Sequence, residues 1–202
     1  MKKYAIILLS FICFSLSAQE TAQRKTQATI AYWGYNIFHP GLKIGAQHEL
    51  KNWDKPKKGM KVKRKTLFLH PEIGLYRQKR NHTGLLLNTN IGLETSKDTQ
   101  LFFTTVSMGL GYFRHFNSGI TYVMNDDTTI SQKKWASRGY FLPTLNVGYG
   151  QNLPSFSWFN TFTVGSKIKY NTGSSLELFF EAGVKVHLFQ GKRSTNDKPT
   201  NL

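Results

Sequence analysis

The segment SLELFFEAGVKVHLF (175–189) decides the fold, because apolar residues occupy every second position along it. All even-numbered residues from Leu176 to Leu188 are apolar, whereas the positions between them include Glu177, Glu181 and Lys185. Side chains of a β-strand point alternately to two faces, while those of a helix repeat every 3.6 residues. The segment is therefore predicted to be a strand with one apolar face and one polar face.

Six further segments share this period of two. They are GLKIGAQHELKNW (41–53), KTLFLHPEIGLYRQ (65–78), GLLLNTNIGLE (84–94), LFFTTVSMGLGYF (101–113), YFLPTLNVGYGQN (140–152) and SWFNTFTVGSKIKY (157–170). Together with the last segment they give seven strands. A membrane barrel built from one bacterial chain has an even number of strands, so an eighth strand is expected.

The eighth strand has two candidates, TIAYWGYNI (29–37) and GITYVM (119–124). With 119–124 as the fifth strand, the longer segments 54–65 and 125–138 both lie opposite the chain termini. Short periplasmic turns and longer extracellular loops are typical of outer-membrane barrels. We therefore predict 119–124 as the fifth strand and the basic segment 54–65 as extracellular.

The glycines of these segments indicate a closed barrel rather than an open sandwich. Nine of them, from Gly45 to Gly183, fall on the polar faces of their strands. A narrow barrel of about eight strands needs small residues on its concave side. The predicted fold is all-β: an antiparallel up-and-down transmembrane β-barrel of about eight strands, polar inside and apolar outside.

The first eighteen residues have the parts of a secretory signal peptide. Lys2 and Lys3 carry positive charge, residues 4–16 form a mostly apolar region, and small residues precede a cleavage site after Ala18. Cleavage would also remove Cys13, the one cysteine of the chain, which excludes a disulfide framework. The expected organisation is a signal peptide (1–18), an N-terminal extension (19–40), a β-barrel (41–189) and a polar C-terminal tail (190–202).

Three segments carry a resemblance to a known group of proteins. HPGLKIG (39–45), GYFLP (139–143) and the alternating strand that ends at Phe189 resemble the small, roughly eight-stranded outer-membrane β-barrels of Gram-negative bacteria. The resemblance covers about 41–189. It implies a location in the outer membrane and assembly by the barrel-insertion machinery, and it implies no single activity.

The chain is strongly basic, with 27 Lys and Arg against 11 Asp and Glu. The densest positive charge lies in the predicted extracellular loop, on Lys55, Lys57, Lys58, Lys61, Lys63, Arg64 and Lys65. Coulomb attraction would bring such a loop to anionic lipid of the outer membrane, for example to the phosphates of lipopolysaccharide. A solvated loop without a dedicated partner is the alternative. We expect no nucleic-acid partner, because an exported barrel does not meet intracellular nucleic acid.

Ionisable residues on the polar faces are predicted to meet inside the barrel. Desolvating an isolated charge is costly, so these groups must pair or stay hydrated. The expected network consists of Glu72, Glu94, Lys167, Glu181 and Lys185. The main interpretation is structural, a set of ion pairs that fills a narrow lumen, and a path for protons or ions is the alternative. No metal-ligand spacing is present, so we expect no metal and no other cofactor.

One short string is close to the motif of a known class of outer-membrane enzymes. Lipid A deacylases are outer-membrane barrels with a His-x-Ser-Asn motif, and the nearest string here is RHFNSG (114–119), where His115 and Ser118 have a different spacing. A serine nucleophile needs its base within hydrogen-bond reach. The expected role is therefore structural or surface-interacting, and not catalytic. The alternatives are an outer-membrane lipid-modifying enzyme and an exported soluble β-barrel that binds a ligand.

Overall fold

The computed structural model describes residues 26–35, 39–57, 61–78, 81–97, 101–124, 129–134, 136–153, 155–169 and 173–188. All of them lie within one compact unit, Lys25–Gln190. The predicted signal peptide and the predicted C-terminal tail lie outside the described residues. No helix among the described residues is long and apolar enough to span a membrane.

The described residues form ten strands. They are β1 (Thr26–Tyr35), β2 (Gly41–Lys57), β3 (Lys61–Gln78), β4 (His82–Lys97), β5 (Phe102–Asn117), β6 (Thr121–Met124), β7 (Ile130–Lys133), β8 (Ser137–Asn152), β9 (Phe156–Lys169) and β10 (Gly173–His187). Eight of them close into one barrel in the order β1-β10-β9-β8-β5-β4-β3-β2. Each barrel strand pairs antiparallel with its neighbours, and β1 closes the barrel against β10. The predicted fold class, an all-β antiparallel up-and-down barrel of eight strands, is confirmed.

The choice of the eighth strand was wrong. Residues 26–35, expected within an N-terminal extension, form the first barrel strand, where Ile30 pairs with Ile44 on one side and Val184 on the other. Within 119–124 only Thr121–Met124 is a strand, and it pairs with β7 in a separate two-stranded hairpin between β5 and β8. A strand that crosses a bilayer needs about 9–11 residues. Strand β1 has 10 residues and β6 has 4, so only β1 is long enough.

This change of strand reverses the two ends of the barrel. We call the end where β1 begins and β10 ends the terminal end, and the opposite end the distal end. The connection between β2 and β3 lies at the terminal end, and the long connection that contains β6 and β7 lies at the distal end. The prediction that the basic segment 54–65 lies opposite the chain termini is therefore wrong.

The strand alternation sorts the side chains as the sequence pattern predicts. Glycines on the polar faces lie inside, where the barrel leaves them little room. A Cβ at Gly74 would lie 3.0 Å from the ring of Trp33, and one at Gly109 would lie 2.6 Å from Thr144 Oγ1. Small residues at these positions allow large side chains from other strands to fill the interior.

Candidate functional site

The outer surface of the barrel is an apolar band. On β5 the outward residues Phe102, Val106, Met108, Leu110 and Tyr112 are all exposed. Phe102 and Tyr112 are ten positions apart, about 34 Å along a strand at about 3.4 Å per residue. A strand tilt of about 40° reduces this to a height of about 26 Å, which matches the apolar band of about 25 Å on outer-membrane barrels.

Aromatic side chains border this band at both ends. At the terminal end Tyr149 and Trp158 meet edge to face with ring centres 5.9 Å apart, and Trp158 Nε1 donates a hydrogen bond to Gln151 Oε1 at 3.0 Å. At the distal end Tyr32 and Tyr112 are exposed on the outside. Tyr and Trp are enriched where hydrocarbon meets lipid headgroups, because their rings are apolar and their N–H and O–H groups are polar. The band thus has the pattern of a bilayer-facing surface.

The distal half of the lumen is filled by apolar side chains, which we call the aromatic plug. Its members are buried and come from six different strands: Trp33, Tyr76, Leu86, Phe113, Leu142 and Phe179. The rings of Trp33 and Phe179 stack 5.5 Å apart, and those of Tyr76 and Phe113 stack 5.8 Å apart. Leu142 and Phe113 are fully buried, so the plug closes the interior at this level.

Two histidines lie on the distal side of the plug. The Tyr76 hydroxyl is 2.6 Å from His82 Nε2 and 3.0 Å from His115 Nε2. A hydroxyl carries one proton, so it donates to one imidazole and accepts from the N–H of the other. Ser118, the serine of the RHFNSG string, is an exposed residue just beyond the end of β5.

The centre of the lumen holds a buried ion network around Lys43. Its Nζ donates to Glu72 Oε2 at 3.1 Å and also to Glu181 Oε1. All three side chains are nearly inaccessible to solvent. Asn90 Nδ2 also donates to Glu72 Oε2 at 2.5 Å, and His70 Nδ1 lies 3.4 Å from Glu72 Oε1. Each buried carboxylate therefore has charged or hydrogen-bonding partners, as burial requires.

Neutral polar side chains extend the network along the inner wall of the barrel. Asn146 Nδ2 donates to Asn90 Oδ1 and to Ser107 Oγ, both at 3.0 Å. Thr163 Oγ1 donates to Asn146 Oδ1 at 2.7 Å. These contacts link β4, β5, β8 and β9, four consecutive strands of the barrel wall, so the polar residues tie the inner faces of this side of the barrel together.

Two further ion pairs lie on either side of this centre. Toward the terminal end, Lys185 Nζ lies 2.8 Å from Glu94 Oε2 and 4.5 Å from the ring centre of Phe103. At the distal end, Lys167 Nζ lies 3.1 Å from Glu177 Oε1 and 4.7 Å from the ring centre of Phe113. Each ammonium group thus has a carboxylate and an aromatic face as neighbours, and both stabilise a partly desolvated cation.

The predicted lumen residues divide among three separate ion pairs or clusters. Glu72 and Glu181 meet at Lys43, Glu94 meets Lys185, and Lys167 meets Glu177. The predicted network omits Lys43, although the alternation of β2 already puts this residue on the polar face. Strand alternation identifies the face, but which acid a lysine reaches depends on how the walls curve toward each other.

A small cavity lies between the central network and the terminal end. Its volume is about 40 Å³, and its lining includes Gln47, Phe68, His70, Phe103, Phe159 and Lys185. This volume has room for about two or three water molecules. It is far below the range of about 300–1,000 Å³ that is typical of small-molecule sites.

The similarity of this chain to known proteins is confined to low-identity likeness to solved structures. No family model and no curated protein matches the chain. A de novo designed transmembrane β-barrel is similar in structure, with a TM-score of 0.46, 15% identity, and coverage of 84% of this chain and 100% of that one. The outer-membrane enzyme PagL gives a TM-score of 0.42 and 12% identity, over 78% of this chain and 97% of that one.

The attachment invasion locus protein Ail of Yersinia pestis is also similar in structure. Its TM-score is 0.38 at 9% identity, over 81% of this chain and 97% of that one. At this level of likeness nothing about the activities of these proteins carries over to this chain.

The residues of the predicted anionic-lipid contact lie at the terminal end, on the paired ends of β2 and β3. Lys55, Lys63 and Arg64 are exposed and Lys65 is half-buried. Arg64 Nε lies 3.2 Å from Asp54 Oδ1. Lys57 and Lys61 are register partners, and Lys58 lies outside the described residues. No group of three or more His, Cys, Asp or Glu side chains in the described part of the chain is arranged to hold a metal ion.

Proposed function

We propose that this protein is an outer-membrane β-barrel with a closed lumen, whose role is structural or surface-interacting rather than catalytic or conducting. The observation that carries the proposal is the pairing of an apolar outer band with an interior that is already filled. A soluble ligand-binding barrel would need the opposite arrangement, with a polar exterior and an apolar cavity.

The outer band supports a membrane location, because exposing so much apolar surface to water is unfavourable. An exposed apolar patch of more than a few hundred Å² is rare on a soluble monomer, whereas this band surrounds the barrel on all eight strands. In a bilayer the same residues contact lipid chains. The backbone is satisfied within a closed barrel, as the hydrocarbon region demands.

A lysine scan at two depths tests the membrane location. Met108 lies midway along the outward run of β5, and Thr104 lies on the same face close to its border. Met108→Lys should make the free energy of folding into the membrane less favourable by about 2–4 kcal/mol, and Thr104→Lys by about 1 kcal/mol or less. The cost of a charge that faces lipid falls toward the interface. Membrane fractionation and a heat-modifiability gel would measure both. Equal, mild effects would contradict a bilayer around this band.

The filled lumen supports a role that does not involve conduction. The aromatic plug closes the distal half, the network around Lys43 occupies the centre, and the Lys185–Glu94 pair lies toward the terminal end. The purified wild-type barrel in a planar lipid bilayer is expected to give no stable single-channel current. A reproducible conductance of the folded barrel would refute the closed lumen and favour an ion path.

Two observations argue against catalysis by Ser118 and His115. Ser118 is exposed beyond the end of β5, while His115 Nε2 is engaged by the Tyr76 hydroxyl at 3.0 Å. Mass spectrometry of lipid A from cells that express the wild type or His115→Ala should give the same acylation pattern as cells without the protein. Loss of an acyl chain with the wild type alone would support the enzyme alternative.

A further inference from the structure

The wall of the barrel is extended at the terminal end by β2 and β3. Strand β1 pairs with β2 only as far as His48, so residues 49–57 of β2 pair with β3 alone among the described strands. The extension carries most of the predicted basic segment. The outward face of this extension is continuous with the apolar band of the barrel.

A β-bulge between Glu49 and Lys51 determines which side chains of the extension face outward. Before the bulge, the odd-numbered residues Lys43 and Gln47 are buried inside the barrel. The bulge adds one residue to β2, so the odd-numbered residues after it face the other way. Without the bulge, Lys51 and Lys55 would lie on the lumen side.

The register across β2 and β3 confirms the reversal. Lys51 pairs with Leu67, Trp53 with Lys65, and Lys55 with Lys63. Leu67 faces outward because its neighbours Thr66 and Phe68 are buried inside. Directly opposed residues share a face. The outward face of the extension, which we call the lysine face, therefore consists of Lys51, Trp53, Lys55, Lys63 and Lys65.

The charges of the extension are sorted between its two faces. The register places three charged residues on the inner face: Glu49, Asp54 and Arg64. Asp54 and Arg64 form an ion pair there. On the lysine face Lys55 and Lys63 are directly opposed, and the register continues from Lys63 to Lys97 of β4. Directly opposed like charges destabilise a sheet. An anion at this face would remove that repulsion.

We propose that the lysine face binds the phosphate groups of anionic phospholipids in the leaflet at the terminal end. The inference rests on the proposed membrane location. Lys63 is four residues from the outward Leu67, about 14 Å along the strand and about 10 Å in height after tilt. That height reaches the headgroup layer next to the apolar band. Lysine stems lie along apolar surface while their ammonium groups contact headgroups, and Trp53 is an aromatic residue suited to the same boundary.

The test measures which lipids surround the reconstituted barrel. The wild type is placed in phosphatidylcholine vesicles with a trace of spin-labelled phosphatidylglycerol or spin-labelled phosphatidylcholine, and electron paramagnetic resonance gives the fraction of each label at the protein surface. The test variant neutralises the lysine face (Lys51→Gln, Lys55→Gln, Lys63→Gln, Lys65→Gln). The matched control removes four exposed cations at the distal end (Arg77→Gln, Arg114→Gln, Lys134→Gln, Arg138→Gln).

We expect the wild type and the control to enrich phosphatidylglycerol severalfold over phosphatidylcholine, with the preference weakening in high salt. The lysine-face variant should lose the preference. If both variants lose the preference for phosphatidylglycerol equally, the preference depends only on net charge and the proposal is overturned. The absence of any preference in the wild type would also overturn it. A stronger preference for lipopolysaccharide in vesicles that contain it would also overturn the phospholipid assignment. Failure of the barrel to insert at all would instead contradict the proposed membrane location.

Discussion

The two halves of the lumen are closed by different physical means. In the distal half, the aromatic and leucine side chains of the plug pack mainly by fit in shape, and one buried ion pair, Lys167–Glu177, lies against them. In the half toward the terminal end, Lys43, Glu72 and Glu181 lie buried and need partners for every charge. One barrel can thus be filled by shape or by paired charges. Paired filling is harder to alter, because a change to one partner leaves the others unpaired.

Replacement of Lys43 should have the largest effect on this comparison. Lys43→Met leaves the carboxylates of Glu72 and Glu181 buried without their shared cation. Breaking a buried ion pair in this way costs about 3–5 kcal/mol, so the free energy of unfolding in urea should fall by that amount. Tryptophan fluorescence and gel mobility of the barrel in lipid vesicles would follow unfolding.

A variant that removes the whole charged cluster is the control for Lys43→Met. Combining Lys43→Met with Glu72→Gln and Glu181→Gln should recover much of the lost stability, because no unpaired charge then remains. If Lys43→Met alone unfolds like the wild type, the two halves do not differ in the way described.

Enlarging a glycine in the polar half should have an intermediate effect. A Cβ at Gly109 would overlap Asn90 Oδ1 and would lie 2.6 Å from Thr144 Oγ1. Asn90 Oδ1 accepts hydrogen bonds from Asn88 and Asn146 at 3.0 Å each, so it cannot move without loosening both. Overpacking of this kind costs about 1–3 kcal/mol, and Gly109→Ala should lower the urea midpoint accordingly.

The smallest effect is expected for a glycine beside the plug. A Cβ at Gly165 would lie 3.2 Å from Leu142 Cδ1 and 3.4 Å from Phe179 Cε2, which are outer atoms of apolar side chains. A few tenths of an ångström of adjustment there breaks no hydrogen bond, and alanine reduces the freedom of the unfolded chain. Gly165→Ala should therefore stay within about 1 kcal/mol of the wild type. A larger loss than for Gly109→Ala would reverse the proposed contrast.

The face of each strand was predictable from the sequence, because side-chain direction follows directly from a period of two. That rule put Glu72, Glu181 and Lys185 inside, and it put Ile44 and Val184 outside. The same rule failed at Lys51, which the unbroken alternation of 41–53 puts with Lys43 on the lumen side. The bulge after Glu49 changes that direction, and no strong sequence signal such as a glycine marks it.

The number of barrel strands was predictable, but their identity was not. Residues 29–37 and 119–124 were both candidates for the eighth strand, and the lengths of the turns and loops favoured the wrong one. Closure of the barrel decides between the two segments, because the closing strand must pair with β2 on one side and with β10 on the other. Strand β1 does so, whereas β6 has only 4 residues and is too short to close the barrel. This one error moved the basic segment to the other end of the barrel.

The sequence by itself determined that the chain forms alternating strands, with glycines and charges on one face and apolar residues on the other. These are local properties, fixed by the geometry of one strand. Only the tertiary structure decided which strand closes the barrel, which end carries the lysines, and that Lys43 joins Glu72 to Glu181. Those features depend on register, bulge and curvature, which bring together residues as much as 160 positions apart.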